Sequence, residues 1–171
     1  MTPGLLFERI RDKEEDREDL FNLKSEPNDI YWSGYTSAPD RSAFKDWFGG
    51  QLQREDRTIW LVKTPDARTI GYLYLTCSSE DTNRIGYISH GVTEKEKGKG
   101  IGSSIVRFVV DGFTNNILPA DQLQAWIVKE NLSSVKTFLK NGFVRSSLEK
   151  TQFYASMNRE VVLENYFLKR T

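Results

Sequence analysis

The stretch Lys97-Gly98-Lys99-Gly100-Ile101-Gly102-Ser103-Ser104 combines residue types suited to binding a phosphate-like anion. Its three glycines alternate with Lys and Ile, behind the apolar stretch Ile85 to Val92 and ahead of the amphipathic series Ile101, Ile105, Val106, Phe108, Val109 and Phe113. Glycine accepts positive φ and lets a ligand approach the backbone without meeting a Cβ. A strand that enters a helix through such a turn leaves unpaired N–H groups at the helix start, beside the positive end of its dipole. Those donors form an anion receptor, so the turn is expected to hold the pyrophosphate of a cofactor. Two other glycine motifs are excluded. No Ser or Thr follows Lys99, as a Walker A loop requires. No third glycine stands at the spacing that a dinucleotide fingerprint needs after Gly100 and Gly102.

A second concentration of unusual residues lies upstream. Ser25 to Asp40 contains Pro27, Asn28, Gly34 and Pro39, which predicts a loop or a broken helix. It also contains Ile30, Tyr31, Trp32 and Tyr35. Aromatic rings in a loop cost solvation unless they cover the core or line a pocket.

The elements that must position these residues follow from periodicity. Leu5 to Ile10 reads as a first strand, and Lys13 to Lys24 as a surface helix with Glu14, Glu15 and Asp16 in its first turn. Arg41 to Gln53 carries Phe44, Trp47, Phe48 and Leu52 at helical spacing, with Asp40 or Ser42 as the cap. Thr58 to Lys63, Arg68 to Cys77 and Asn83 to Val92 predict a three-stranded antiparallel meander, with a turn at Asp66 and Ala67. Then come a helix over Gly100 to Thr114, a strand over Gln122 to Val128 and a helix over Asn131 to Lys140. Asn131 caps that last helix and Gly142 follows its end. Phe143 to Leu148 and Glu160 to Leu168 close the chain as strands. This order predicts a mixed α+β fold in which helices pack on a largely antiparallel central sheet. No repeat or second domain interrupts it, so residues 1–171 are expected to form a single domain.

Composition narrows the partners. The chain has 24 basic and 24 acidic side chains. Balanced charge provides no footprint for nucleic acid and no polybasic membrane patch. The single cysteine, Cys77, cannot build a disulfide framework or a Cys-based zinc site, so no metal is expected. No apolar run approaches the ~20 residues of a membrane span. The first residues show no basic region ahead of an apolar one. A cytoplasmic protein is expected.

With these elements in place, Lys97-Gly98-Lys99-Gly100-Ile101-Gly102 resembles the signature Arg/Gln-x-x-Gly-x-Gly/Ala of the GNAT superfamily of N-acetyltransferases. Lys97 stands where that family prefers Arg or Gln. Ile85 to Val92 resembles the family's fourth strand. Asn131-Leu132-Ser133-Ser134, with Phe138 to Phe143 after it, resembles its Asn-x-x-Ser segment and Gly-Phe helix end. The resemblance implies binding of acetyl-CoA. Backbone N–H groups from about Gly98 to Gly102 would take the pyrophosphate, and Ser103 and Ser104 would add hydroxyl donors. The backbone from His90 to Val92 would pair with the pantetheine arm as an added strand does, with Asn131 close to that arm. Lys97, Lys99 and Ile101 complete the expected cofactor loop.

For the chemistry of acetyl transfer, relatives often place a Tyr acid seven residues after the Asn. Phe138 occupies that position here and has no proton to give. Ser134, one turn earlier, is the substitute proposed for contact with the leaving sulfur. His90, the only histidine, is the candidate general base, its ordinary pKa near 6.5 suiting the role. Glu80, Asp81 and Glu130 are weaker candidates, and Cys77 is read as a strand residue.

The N-terminal half would choose the acceptor. Ser25 to Trp32, then Phe44 to Phe48, then Ile70-Gly71-Tyr72 resembles a branch that includes ribosomal-protein, polyamine and amino-sugar-nucleotide acetyltransferases. The amino-sugar type is the nearest. Tyr31, Trp32 and Tyr35 would wall the site, where aromatic rings suit stacking on a sugar or base. The expected acceptor is a primary amine of a small molecule, an amino sugar or sugar nucleotide, used by a monomer or homodimer. Acetylation of a protein N-terminus, polyamine acetylation and silent acetyl-CoA sensing are the alternatives.

Overall fold

Among the described residues, seven strands form one sheet. The computed structural model describes residues 4–171. In it β1 (Leu6–Arg9) lies antiparallel on β2 (Arg57–Lys63). Next come β3 (Thr69–Glu80) and β4 (Asn83–Val92), completing the expected meander. β5 (Gln122–Val128) runs parallel to β4. β7 (Arg159–Lys169) is inserted antiparallel between β5 and β6 (Val144–Tyr154). This is the mixed, largely antiparallel α+β fold anticipated from the order of elements.

Strand alternation sends successive side chains to opposite faces, and each face collects its own helices. Ile59, Leu61, Tyr72 and Tyr74 meet Leu20 and Leu23 of α1 (Glu14–Lys24) and Phe44 and Phe48 of α3 (Arg41–Leu52). On the other face Val62, Leu73, Leu75 and Ile88 meet Ile101, Ile105, Val106, Val109 and Phe113 of α4 (Ile101–Thr114). α5 (Leu132–Lys140) adds Phe138 to this second cluster. Each such side chain, fully buried, contributes about 1.5–3 kcal/mol. The first layer is pinned at its start by Asp16, 1% exposed, which accepts from the Arg11 backbone N–H and guanidinium at 2.8–3.0 Å.

Some boundaries depart from the sequence reading: β3 runs to Glu80, past the expected end at Cys77. Residues 27–32 form a helix, α2 (Pro27–Trp32), within the expected loop or broken helix. Pro27 starts it because proline's missing N–H and fixed φ suit the first helical turn. Gly34, at φ 86°, follows its end. β6 extends to Tyr154, six residues past Leu148. It is an edge strand exposed at most positions, so no apolar alternation marks it.

Candidate active site

β4 and β5 pair only at Ile85–Gln122, Gly86–Leu123 and Tyr87–Gln124. Past Tyr87 they part. β4 stays bonded to β3 as far as Val92, and β5 stays bonded to β7 as far as Val128. Each therefore keeps a partner on its outer edge while its inner edge opens into a groove of about 690 Å³, lined by Ile88–Val92 and Ala125–Val128. An inner strand edge presents backbone donors and acceptors that must find partners, and an extended ligand with amide groups supplies them.

The glycine turn closes one end of this groove. Gly98 and Gly100 have φ of 76° and 80°, and Gly100 caps α4 without a side-chain bond. The N–H groups of Ile101, Gly102 and Ser103 form the first turn, where a helix offers no partners of its own. Lys97, Gly98, Gly100, Ile101, Gly102 and Ser103 line the groove, as do Val92, Asn131, Ser134 and His90. Lys99 does not; its Nζ lies 3.2 Å from Glu96 Oε2. Lys97 Nζ is 3.6 Å from Glu94 Oε2, so acidic neighbours offset both loop charges.

α5 braces the turn. Asn131 Oδ1 accepts from the Ser134 backbone N–H at 3.3 Å, the cap that the sequence predicted. Asn141, 3% exposed, donates through Nδ2 to Ser103 O and Oγ at 3.2 Å and to Thr137 O at 2.9 Å. Sequence reading had placed Asn141 only at a helix end. Its bonds to another helix carry no local signature.

His90 projects toward α4 and α5. Its ring centroid is 5.8 Å from that of Phe138, and a Cβ on Gly102 would fall 3.2 Å from its Nε2. Burial lowers its pKa to about 4, opposed in part by Asp29. The imidazole is therefore neutral at physiological pH. Phe138, 2% exposed, packs edge-on against Phe143 and offers no hydroxyl to the groove.

Across the sheet, on the α2 side, the groove has a different lining. Antiparallel pairing sets Tyr72 beside Gly91 and Tyr74 beside Ser89. The Tyr72 hydroxyl donates to Asp29 Oδ1, and Lys24 Nζ stands 2.8 Å from Asp29 Oδ2. Burial, then the Asp29 charge, keeps the Tyr72 hydroxyl protonated far above the usual range. Asp29, Trp32, Tyr72, Ser89, Trp126 and Tyr154 line this side. Of the three aromatic residues predicted to wall an acceptor site, only Trp32 reaches the groove. Tyr31 and Tyr35 are 42% and 64% exposed and stand outside its lining. The turn of α2 sends their rings elsewhere: Tyr31 lies edge-on to Trp32, while its carbonyl accepts from the Ser156 hydroxyl. Asp29 lies within Ser25 to Trp32, the segment expected to help choose the acceptor, and only the fold sets it beside Gly91. The tight turn at Asp81 and Thr82, between the paired Glu80 and Asn83, sets the register that opposes Tyr72 to Gly91, while the packing of α2 brings Asp29 to them.

A family model described as an acetyltransferase (GNAT) domain matches residues 5–144. The chain belongs to the GNAT acetyltransferase family. It is thus an N-acetyltransferase whose acyl donor is acetyl-CoA. No curated protein matches the sequence. Among solved structures, spermidine N-acetyltransferase from Vibrio cholerae, in complex with CoA and spermine, is similar with TM-score 0.85 and 14% identity, over 99% of this chain and 97% of that one. The same enzyme in a dodecameric, intermediate state gives 0.79 and 16%, over 99% and 95%. A provisionally named phosphinothricin N-acetyltransferase gives 0.76 and 18%, over 98% and 99%. At these identities the likeness shows the fold. Among the described residues, this GNAT protein has no helix long and apolar enough to cross a membrane.

Proposed function

We propose that this enzyme acetylates the primary amine of a small molecule, with the parted β4 and β5 edges holding acetyl-CoA between them. The observation that carries this reading is the groove itself. It joins two unpaired strand edges to a glycine turn with two left-handed residues and a free first helical turn. Residues 97–103 suit a pyrophosphate, and the inner edges of 88–92 and 125–128 suit the amides of a pantetheine arm. Acetyl-CoA supplies the acyl group: the amine nitrogen bonds to the thioester carbonyl carbon, the C–S bond breaks, and the amine's proton leaves to water or to the thiolate.

The chain's own contribution is to bind, orient and shield. Ser134 lines the groove one turn before Phe138 and is the hydroxyl assigned to the leaving sulfur. A thiol pKa near 8.5 makes acid assistance helpful without being required, which fits Phe138 at the position where relatives carry Tyr. His90, neutral and packed toward α4, lines the donor side of β4, and burial leaves it a weaker base than a free imidazole. The acceptor enters from the α2 side, between Trp32 and the β6–β7 hairpin that carries Tyr154.

The acceptor side favours an amino sugar or its nucleotide over a polyamine. Its rings suit stacking. Its lining contains one carboxylate, Asp29. A polyamine would bring several charges to a surface that offers little to pair them, and buried unpaired charge is costly. Residues beyond 144 supply β6 and β7, which complete the sheet beside β5. That supports reading 1–171 as a single catalytic domain.

The test is thiol release from acetyl-CoA in the presence of amino sugars, sugar nucleotides, polyamines, aminoglycosides and N-terminal peptides. Amino-sugar-dependent release supports the proposal. Release with polyamines or peptides alone reassigns the acceptor.

A further inference from the structure

Gly91 has no side chain, and two groups from the α2 side occupy the space. A Cβ there would fall 2.4 Å from Tyr72 Cε1 and 2.8 Å from Asp29 Oδ1. The Asp29 carboxylate therefore rests directly on β4, where the strand borders the groove. It is held from two sides, by the Tyr72 hydroxyl at Oδ1 and the Lys24 ammonium near Oδ2. Lys24 Nζ also donates to the Tyr72 hydroxyl at 3.1 Å and lies 4.8 Å from the Tyr72 ring centroid. Lys24 Nζ, 2.8 Å from Oδ2, pairs its charge with that oxygen.

An ionised carboxylate has about four acceptor sites, and Tyr72 at Oδ1 and Lys24 at Oδ2 occupy one on each oxygen of Asp29. A carboxylate 10% exposed at a groove wall, with acceptor capacity to spare, is built to receive a further donor. The groups beside it narrow what that donor is. Trp32 presents aromatic surface to the same space, and a cation over such a ring is stabilised by its quadrupole. An incoming carboxylate or phosphate would instead meet the Asp29 charge.

Resting on the acetyl-CoA reading above, we propose that Asp29 is the specificity-determining anchor for the acceptor's ammonium group. Tyr72 and Lys24 fix its orientation over Gly91. Asp29 binds and positions the amine.

The experiment measures binding of two CoA thioethers by calorimetry, S-(2-aminoethyl)-CoA and its neutral counterpart S-(2-hydroxyethyl)-CoA. Both carry the CoA moiety, and they differ in one ammonium placed just beyond the sulfur. The wild-type protein should prefer the aminoethyl compound by about tenfold or more, the scale of a charge-assisted bond. Asp29→Asn should reduce the preference to about twofold or less while binding the hydroxyethyl compound as wild type does, and Asp29→Glu should retain part of it. If Asp29→Asn does not fold, Asp29→Ser is read in its place. Equal wild-type affinities, or a preference that survives loss of the carboxylate, overturn the assignment and leave the acetyl-CoA reading standing. Failure of both thioethers and of CoA itself to bind overturns that reading, and this assignment with it.

Discussion

Asp29 on α2 and Tyr72 on β3 meet over Gly91, with the Tyr72 hydroxyl donating to the carboxylate in the space that a side chain on β4 would fill. The contact couples three elements that are distant in sequence at the edge of the groove. It also gives Gly91 a role apart from any turn, because no positive φ is needed there.

Gly91→Ala should therefore disturb the acceptor side without touching the glycine turn. The new methyl would sit 2.4 Å from Tyr72 Cε1, so the ring and Asp29 must move. Overpacking of this kind costs about 1–3 kcal/mol, readable as a lowered denaturant midpoint. The KM for the amine should rise more than that for acetyl-CoA.

The glycine turn predicts the converse. Gly100 holds φ 80° at the α4 N-cap, a conformation that costs a β-branched residue about 1–3 kcal/mol. Gly100→Val should weaken acetyl-CoA binding by about tenfold or more through displacement of the first helical turn. Gly98 has φ 76° but open space around its Cβ position, so Gly98→Ala should show the smaller loss. Calorimetric titration with acetyl-CoA measures both.

Much of this arrangement was legible in the sequence. Alternating apolar residues and a tight turn defined the meander, and the glycine turn with Asn131 located one end of the groove. α2 is too short to show a helical period, and exposure of both faces of β6 removed its alternation. Tyr31, Trp32 and Tyr35 lie close together in sequence, yet α2 turns only Trp32 toward the groove. Asn141 acts on Ser103 across two helices, a relation that only packing reveals.

Asn141→Ala should expose that relation. It removes three hydrogen bonds that join the end of α5 to itself and to the first turn of α4. A loss of about 1–3 kcal/mol is expected for the buried acceptors left behind. Acetyl-CoA affinity should fall with it, because Ser103 belongs to the turn that meets the groove.

His90 predicts a pH dependence of stability. Its folded pKa is lowered to about 4 by burial, against about 6.5 in an unfolded chain. Between those values the unfolded state binds a proton that the folded state does not. Stability should therefore fall as pH drops from about 6.5 toward 4, by at most about 3 kcal/mol. The ring's partial opening to the groove and the nearby Asp29 charge both reduce that figure. Urea denaturation across this window should show the slope, and His90→Gln should flatten it.

Ser134→Ala tests the hydroxyl assigned to the leaving sulfur. The Ser134 backbone N–H, which holds the Asn131 cap, remains in place. A fall in kcat of about 10-fold or more with unchanged acetyl-CoA affinity is expected of a group acting on the leaving atom. Equal activity would remove Ser134 from the chemistry.

The central claim is transfer of acetyl from a donor held between β4 and β5 to a small amine. Thiol release from acetyl-CoA, followed together with the N-acetylated product by mass spectrometry, tests it most directly. Saturable release, one thiol for each N-acetyl product, is expected with an amino sugar or sugar nucleotide. Tight acetyl-CoA binding with no thiol released for any amine would contradict it.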